Sequence, residues 1–217
     1  MNGDLRGKRI AWAPDFGGQV PLDPRVRSAL APVRQVLLDL GAEVQEEAPD
    51  LGEADEVFRV MRGVILAASY GEIAEKDPSA FNEDVLRNIE EGRRLTGPEV
   101  GRAERLRTVL FHRMRAFFET HDVLVGAVSQ VPPFSVDWTY PHTVDGEPMS
   151  DYLEWMRSCT MISATGCPAM SVPAAFTAEG LPVGLQIIGP MRSDFELLRT
   201  GHRVETAIGA GRIRPAL

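Results

Sequence analysis

The sequence predicts an α/β fold in which helices cover a mixed β-sheet. Two observations predict it: short apolar runs alternate with stretches of helical periodicity, and the last two apolar runs are separated only by a short polar turn. The alternation favours parallel strands joined through helices, whereas the short turn favours an antiparallel pair. A sheet with both kinds of pairing follows, and residues 1–217 are predicted to form a single domain.

The first part of the chain has the order strand, helix, strand. Residues 8–13 form an apolar run typical of a strand, the next strand is expected over 43–45, and residues 24–40 carry apolar side chains at helical spacing. Asp23 precedes this stretch as a predicted N-cap, followed by proline at the first helical position. Pro32 lies inside it, so the stretch forms either a kinked helix or two shorter ones.

Helical patterns continue through the middle of the chain. Residues 51–75 predict a long, well-buried helix. Its expected core stripe is Val57, Val60, Met61, Val64, Ile65 and Ala68. Asn82 predicts an N-cap, since Glu83 and Asp84 supply first-turn acids.

Thr96 begins a further helix that extends to about Thr120. Its inward residues should be Leu106, Val109, Leu110, Met114 and Phe117, and its arginines 102, 105, 107, 113 and 115 should lie mostly on solvated faces.

A strand over 122–128 is followed by a rigid, proline-rich exit and then by a long loop. The loop covers residues 135–149, is predicted to lack regular structure, and carries Trp138, Tyr140 and His142. Loops of this length are more often binding segments than plain connectors. Residues 151–164 then predict a helix.

Two apolar runs bounded by Gly and Pro stand near the C-terminal end. They are Thr165–Pro173 and Gly180–Gly189, and residues 177–180 form the polar connection between them. The pattern indicates two buried strands joined by a turn. Ser193 and Asp194 then cap a last helix over 194–208, with Leu197, Leu198 and Val204 facing inward.

The amino-acid sequence of these two runs resembles the C-terminal end of amidase signature enzymes, which are serine hydrolases that cleave amide bonds. Earlier segments resemble the same family, namely Leu5–Ile10, Asp23–Val26, Leu40–Val44 and the strand that begins at Asp122. The resemblance spans nearly the whole chain and corresponds to about the C-terminal half of a family member. It therefore implies the C-terminal half of the amidase signature fold.

The resemblance also implies what the chain lacks. The family's catalytic groups are a lysine, a serine in a cis peptide bond, and a nucleophilic serine within a Gly-Ser-Ser-Gly-Gly-Ser run, all in the other half. The sequence contains no Ser-Ser pair, its single Gly-Gly is Gly17-Gly18, and its lysines are Lys8 and Lys76. Neither lysine matches the catalytic segment, so no catalytic residue carries over, and whether the chain acts as an enzyme stays open.

Four residues are candidates for substrate contact near the expected rim of the site: Val128, Trp138, Tyr140 and Cys167. For the aromatic residues, packing within the loop is the competing interpretation. The chain departs from the family at Gly126-Ala127-Val128, where Thr-Pro-Thr is frequent, and at Ser163, where Asn is frequent. A subfamily with another substrate and a remnant under relaxed constraint both explain these departures.

The cysteines and histidines give no independent site. Cys159 and Cys167 have neither a second cysteine pair nor histidines at ligand spacing, so no metal or other cofactor is expected and the thiols should be reduced. Cys167 with His142 or His202 could form a nucleophile and base. This is the weaker interpretation, because Cys167 precedes a proline in a segment that the family uses structurally.

Charge and hydropathy exclude several partners. The formal net charge is -8 and the pI is about 5.1, which gives no support to nucleic acid or an anionic membrane as a partner. No apolar run approaches the roughly 18 residues of a membrane span, and the first nine residues lack the apolar core of a signal peptide. We expect a cytoplasmic protein, which suits reduced thiols.

The favoured hypothesis is a C-terminal portion of an amidase that supplies sheet scaffold and substrate rim, inactive alone, with a small amide as substrate only when the catalytic half is present. The alternatives are a noncatalytic interaction subunit or pseudoenzyme, and one half of a split amidase. The strands around Val172 and Leu185 are predicted to be buried on both sides. An uncovered apolar face should then bind a partner protein or a second copy.

Overall fold

The computed structural model describes residues 5–213, so the first four residues of the stretch considered for a signal lie outside it. The strands are β1 (Arg9–Trp12), β2 (Glu43–Gln45), β3 (Val123–Ala127), β4 (Thr143–Val144), β5 (Glu147–Pro148), β6 (Ala169–Phe176) and β7 (Pro182–Ile188). The α-helices are α1 (Pro24–Asp39), α2 (Ala54–Lys76), α3 (Glu83–Arg94), α4 (Gly97–Thr120), α5 (Arg157–Thr165) and α6 (Asp194–Ile208). Short 3-10 turns occupy Pro78–Ala80, Glu154–Met156 and Ala210–Arg212.

Five strands form one mixed sheet in the order β2-β1-β3-β7-β6. β1 is parallel to both β2 and β3, whereas β7 is antiparallel to β3 and to β6. The predicted βαβ unit and the predicted C-terminal antiparallel pair are therefore confirmed, and they meet at the pairing of β3 with β7. The α/β fold class predicted from the sequence is confirmed.

Helices cover the two faces of the sheet unequally. α1 and α6 pack on one face, over a core that includes Ile10, Val125 and Leu185. α2, α4 and α5 form the layer on the other face, over Leu124 and Ile188. Among residues 5–213, no helix combines the length and apolar character needed to cross a membrane.

The predicted helix starts have a physical basis in the structure. Asp23 accepts a hydrogen bond from the backbone N–H of Arg25 at 2.8 Å, and Asn82 accepts one from Val85 at 2.9 Å. Thr96 and Glu99 form a capping box at the start of α4. α1 continues as one helix through Pro32, which decides between the two alternatives left open by the sequence.

The prediction of a well-buried α2 is wrong. Of the six residues in its expected core stripe only Val57 is fully buried, while Ile65 is 57% exposed and Ala68 is also exposed. α2 packs against α3, α4 and α5, and no described element covers the outward part of its stripe. Val109 in α4 and Leu198 in α6, both expected to face inward, are likewise 42% and 50% exposed.

Three further expectations need correction. The loop over 135–149 is not irregular throughout, because β4 and β5 form a small hairpin around Asp145-Gly146. The helix expected over 151–164 begins only at Arg157, because Asp151 caps the preceding turn through the N–H groups of Leu153 and Glu154. β6 is not buried on both sides: it is the edge strand, and its residues alternate between exposed and buried.

Candidate substrate rim

Val128 follows β3 directly and is fixed by its neighbours on both sides. Its carbonyl oxygen accepts hydrogen bonds from Ser158 Oγ at 2.7 Å and from Cys159 Sγ at 2.9 Å, both in the first turn of α5. Its N–H donates to the carbonyl of Gly184 in β7 at 3.4 Å. A Cβ at Gly184 would lie 3.0 Å from Val128 Cγ2, so glycine there lets the side chain of Val128 approach the strand.

Gln130 organises the chain after Val128, and the sequence analysis missed it. It is completely buried. Its backbone carbonyl accepts a hydrogen bond from Asp23 N at 2.9 Å, and its Oε1 accepts one from Ser158 N at 3.2 Å. Gln130 thus joins the start of α1 to the rim through its backbone and the start of α5 through its side chain. The sequence signal that could have identified Gln130 is its position as a polar residue between an apolar strand and Pro132-Pro133.

The aromatic loop packs on itself and leaves one large ring in solvent. Trp138 is 50% exposed, with its ring centroid 6.5 Å from Phe134 and 6.0 Å from His142. Tyr140 also contacts His142, with centroids 5.7 Å apart, and its hydroxyl donates to the carbonyl of Ser150 at 3.4 Å. Loop packing therefore accounts for Tyr140, while Trp138 keeps half of its surface for another contact.

A small cleft of about 240 Å³ lies beside this loop, between the start of α1 and the end of β3. Phe134 and Trp155 line it with edge-to-face rings 5.2 Å apart. Gly184 lines it from β7, and Ser129 lines it from the segment that follows β3. The structure therefore brings the residues beside Val128 together with the proline-rich exit from β3 that precedes the loop.

Cys167 lies elsewhere. Val128 touches the first turn of α5, whereas Cys167 follows its last turn, and the nine residues of α5 span about 13 Å at 1.5 Å per residue. It lines a separate cleft of about 230 Å³ with Phe111, Arg115 and Met191. Burial raises the pKa of the Cys167 thiol above its ordinary value, although a hydrogen bond with Thr165 opposes the shift.

The structure does not bring Cys167 together with His142 or His202 as a nucleophile and base. His142 contacts Trp138 and Tyr140, and His202 lies on α6, across the sheet from the core that Cys167 joins. Neither histidine lines the cleft of Cys167. Within residues 5–213, no group of three or more His, Cys, Asp or Glu side chains could hold a metal ion.

Two arginines of α2 anchor the segment that closes the loop. Arg59 donates to Asp151 at 2.5 and 3.3 Å and to Asp55 at 2.8 Å. Burial of Asp151 opposes its ionisation, yet the bonds from Arg59 hold its pKa below its ordinary value. Arg62 reaches the hydroxyl of Tyr152 at 3.0 Å. The end of the aromatic loop is thereby tied to the helical layer.

The amidase family model matches residues 1–198, which is most of the chain. The chain belongs to the amidase family. Members of this family hydrolyse amides, and the resemblance stated from the sequence motifs is confirmed. The departure of this chain from the family at Gly126 also has a packing basis, because Phe16 occupies the space where a side chain would stand.

Relatives show how much of an amidase this chain represents. An acylamidase of Rhodococcus erythropolis is 32% identical over 209 residues, which is 94% of this chain and 43% of that protein. A solved bacterial aryl acylamidase of the amidase signature enzymes superposes with a TM-score of 0.81 at 22% identity, over 99% of this chain and 47% of that one. A solved amidase gives 0.84 at 22% identity, over 96% and 48%.

The chain is much shorter than the amidases that it matches. The chain spans less than half of the amidases that it matches, while nearly all of its own residues are matched. The structural likeness extends over the whole mixed sheet and its helices. This amidase chain therefore has the fold of one part of a longer amidase.

Proposed function

We propose that residues 1–217 are one partial domain of an amide hydrolase, which provides sheet scaffold and substrate rim and depends on a second part for the nucleophile. The observation that carries the proposal is the combination of near-complete coverage of this chain with coverage of only 43% of the acylamidase. The absence of a Ser-Ser pair from the sequence supports it. Nucleophilic catalysis needs an activated hydroxyl, and the resemblance assigns this group to the other half.

The rim would act by positioning the substrate. Val128 offers an aliphatic surface fixed between β7 and α5, and Trp138 offers half of an indole face. Stacking on such rings favours a substrate that carries an aromatic or bulky acyl group. We therefore propose an acylated aromatic amine as the substrate class, in keeping with the acylamidase among the relatives.

Tyr140 and Cys167 have different places in this proposal. Tyr140 supports Trp138 through their shared neighbour His142. Cys167 is proposed as a separate contact beyond the end of α5 that lies opposite to Val128, in the cleft that it shares with Arg115. Its raised pKa suits a contact made by a neutral thiol.

The test compares hydrolysis of acyl nitroanilides by the purified chain and by the chain co-expressed with the part of the Rhodococcus acylamidase that it does not match. We expect no hydrolysis by the chain alone and measurable hydrolysis by the complex. Trp138→Ala should then raise KM several-fold with little change in kcat, whereas Val136→Ala, at a neighbouring loop residue that is 97% exposed, should change neither. Hydrolysis by the isolated chain would overturn the proposal, as would a folded complex without hydrolysis.

A further inference from the structure

An apolar groove lies open on the helical layer that covers one face of the sheet. It measures about 590 Å³ and runs between α2 and α4, with the C-terminal turn of α5 as its floor. We call it the α2–α4 groove and define it by Phe58, Met61, Ile65, Phe111 and Met191. Ile65, Phe111 and Met191 are 57%, 37% and 41% exposed. Exposed apolar patches that gather in this way mark interaction sites.

A second uncovered area adjoins this groove. The α5 turn that floors the groove leads directly into β6, whose residues Ala169, Ser171 and Pro173 are exposed on the same side of the sheet. Beneath them, Gln186 pairs with Ser171 across the strands and is only 7% exposed. Its Oε1 is buried without a hydrogen-bond donor among residues 5–213. That oxygen lies within the fold, so a covering chain would contact the exposed residues of β6 rather than Gln186.

We propose that the α2–α4 groove and the outer face of β6 form one joint that seats the remaining part of an amidase. The inference rests on the proposed function, in which a second part supplies the nucleophile. In the solved relatives this fold occupies 47% and 48% of a single chain, so the rest of that chain packs against some of its surface. The opposite face of the sheet already lies under α1 and α6.

Charge at the groove decides between that occupant and a second copy of this chain. Arg62 lines the groove and bonds to the neutral hydroxyl of Tyr152, with no carboxylate partner in the described part of the chain. Arg115, in the adjoining cleft, also lacks a carboxylate partner between residues 5 and 213. A symmetric contact between two copies would bring such arginines together, which is unfavourable. The fitting partner presents an apolar strip flanked by acidic residues.

The experiment measures binding rather than hydrolysis. The chain is co-expressed with the part of the Rhodococcus acylamidase that it does not match, and the affinity of the complex is measured by sedimentation. Ile65→Asp, in the groove, is compared with Leu198→Asp, which lies on α6 across the sheet and is similarly exposed at 50%. We expect at least a tenfold loss of affinity for Ile65→Asp and less than a twofold change for Leu198→Asp. Arg62→Glu should weaken binding, and Arg62→Lys should largely restore it.

The outcomes separate this joint from the proposed function. Equal affinities for the two aspartate variants, or no complex with the wild-type chain, would overturn the joint. Self-association of the wild-type chain that Ile65→Asp abolishes would also overturn it, since the occupant would then be a second copy. A complex that depends on Ile65 but hydrolyses no anilide would support the joint and overturn the proposed function. Unchanged urea midpoints for both variants exclude a folding defect, because both side chains are surface-exposed.

Discussion

Gly126 in β3 lies directly against the ring of Phe16. A Cβ built on Gly126 would stand 2.7 Å from Phe16 Cζ and 3.0 Å from the carbonyl oxygen of Ala13. Phe16 is completely buried, and its backbone is in the left-handed region at φ 55°. Such a conformation is unusual for a residue other than glycine. Asp15 supports the turn by accepting hydrogen bonds from Gly17 N and Gly18 N, each at 3.1 Å.

The contact between Gly126 and Phe16 predicts that adding one methyl group at Gly126 has a large effect on stability. Gly126→Ala should reduce the free energy of unfolding by about 1–3 kcal/mol, because overpacking forces the ring or the strand to move. Phe16→Leu in the same chain should recover part of that loss. Urea unfolding of both single variants and the double variant measures the coupling.

Gly101→Ala is the matched control for Gly126→Ala. Gly101 lies in α4, and the nearest atom to an added Cβ is the flexible end of Arg105 at 3.7 Å. This substitution should be neutral or stabilise by up to about 1 kcal/mol. If Gly126→Ala behaved like the control, the close approach of Phe16 would not constrain β3.

The crossing of α2 and α3 depends on two glycines. A Cβ on Gly92 would overlap the backbone carbonyl of Gly63, and no side-chain motion relieves this contact. Gly92→Ala should therefore separate α3 from α2 while the sheet stays folded. Amide exchange should lose protection over Glu83–Arg94 and keep it over Val123–Ala127. Unchanged protection of α3 would show that the backbones of α2 and α3 are farther apart at Gly63 and Gly92 than the structure has them.

The sequence predicted best where the determinant is local. Asn82 marks its helix start because its side chain accepts a hydrogen bond from Val85 N, three residues on. Thr96 marks the next one because its N–H and its hydroxyl both donate to the carboxylate of Glu99, also three residues on. The strands β6 and β7 were likewise visible from their bounding Gly and Pro. Asp145-Gly146 also carried the local signal of a hairpin turn, but the flanking strands are only two residues long and show no alternation.

Burial was predicted worst where it depends on what covers a helix. The stripe of α2 has helical spacing, yet Ile65 is exposed because the groove beside it is open. Apolar periodicity reports that a face will be buried and does not report by which chain. The hydrogen bonds of Gln130 and Arg59 were not predicted for another reason. Their partners, Ser158 and Asp151, are 28 and 92 residues away in the sequence.

The ion pair between Arg59 and Asp151 predicts a dependence of stability on pH. The pKa of Asp151 is lower in the folded chain than its ordinary value of 3.8, so its stabilisation is present above about pH 4 and is lost as the pH falls through the folded-state pKa. Asp151→Asn should destabilise by about 1 kcal/mol at pH 7, since the pair is partly exposed. As the pH falls through the folded-state pKa of Asp151, the difference between the two proteins should shrink. Denaturant unfolding of the wild-type chain and of Asp151→Asn between pH 7 and acidic pH measures this difference in stability. A difference that did not change with pH would exclude the ion pair as its source.

The two thiols test whether this chain could hold a nucleophile of its own. Burial raises the pKa of both Cys159 and Cys167 above the ordinary value of a thiol, so the reactive thiolate is less populated than in free cysteine. Both should react with iodoacetamide more slowly than free cysteine, and at its rate once urea unfolds the chain. Cys159→Ser and Cys167→Ser assign the two rates by mass spectrometry. Fast alkylation of Cys167 that slowed in His142→Ala would instead indicate an activated cysteine, and the nucleophile would then belong to this chain.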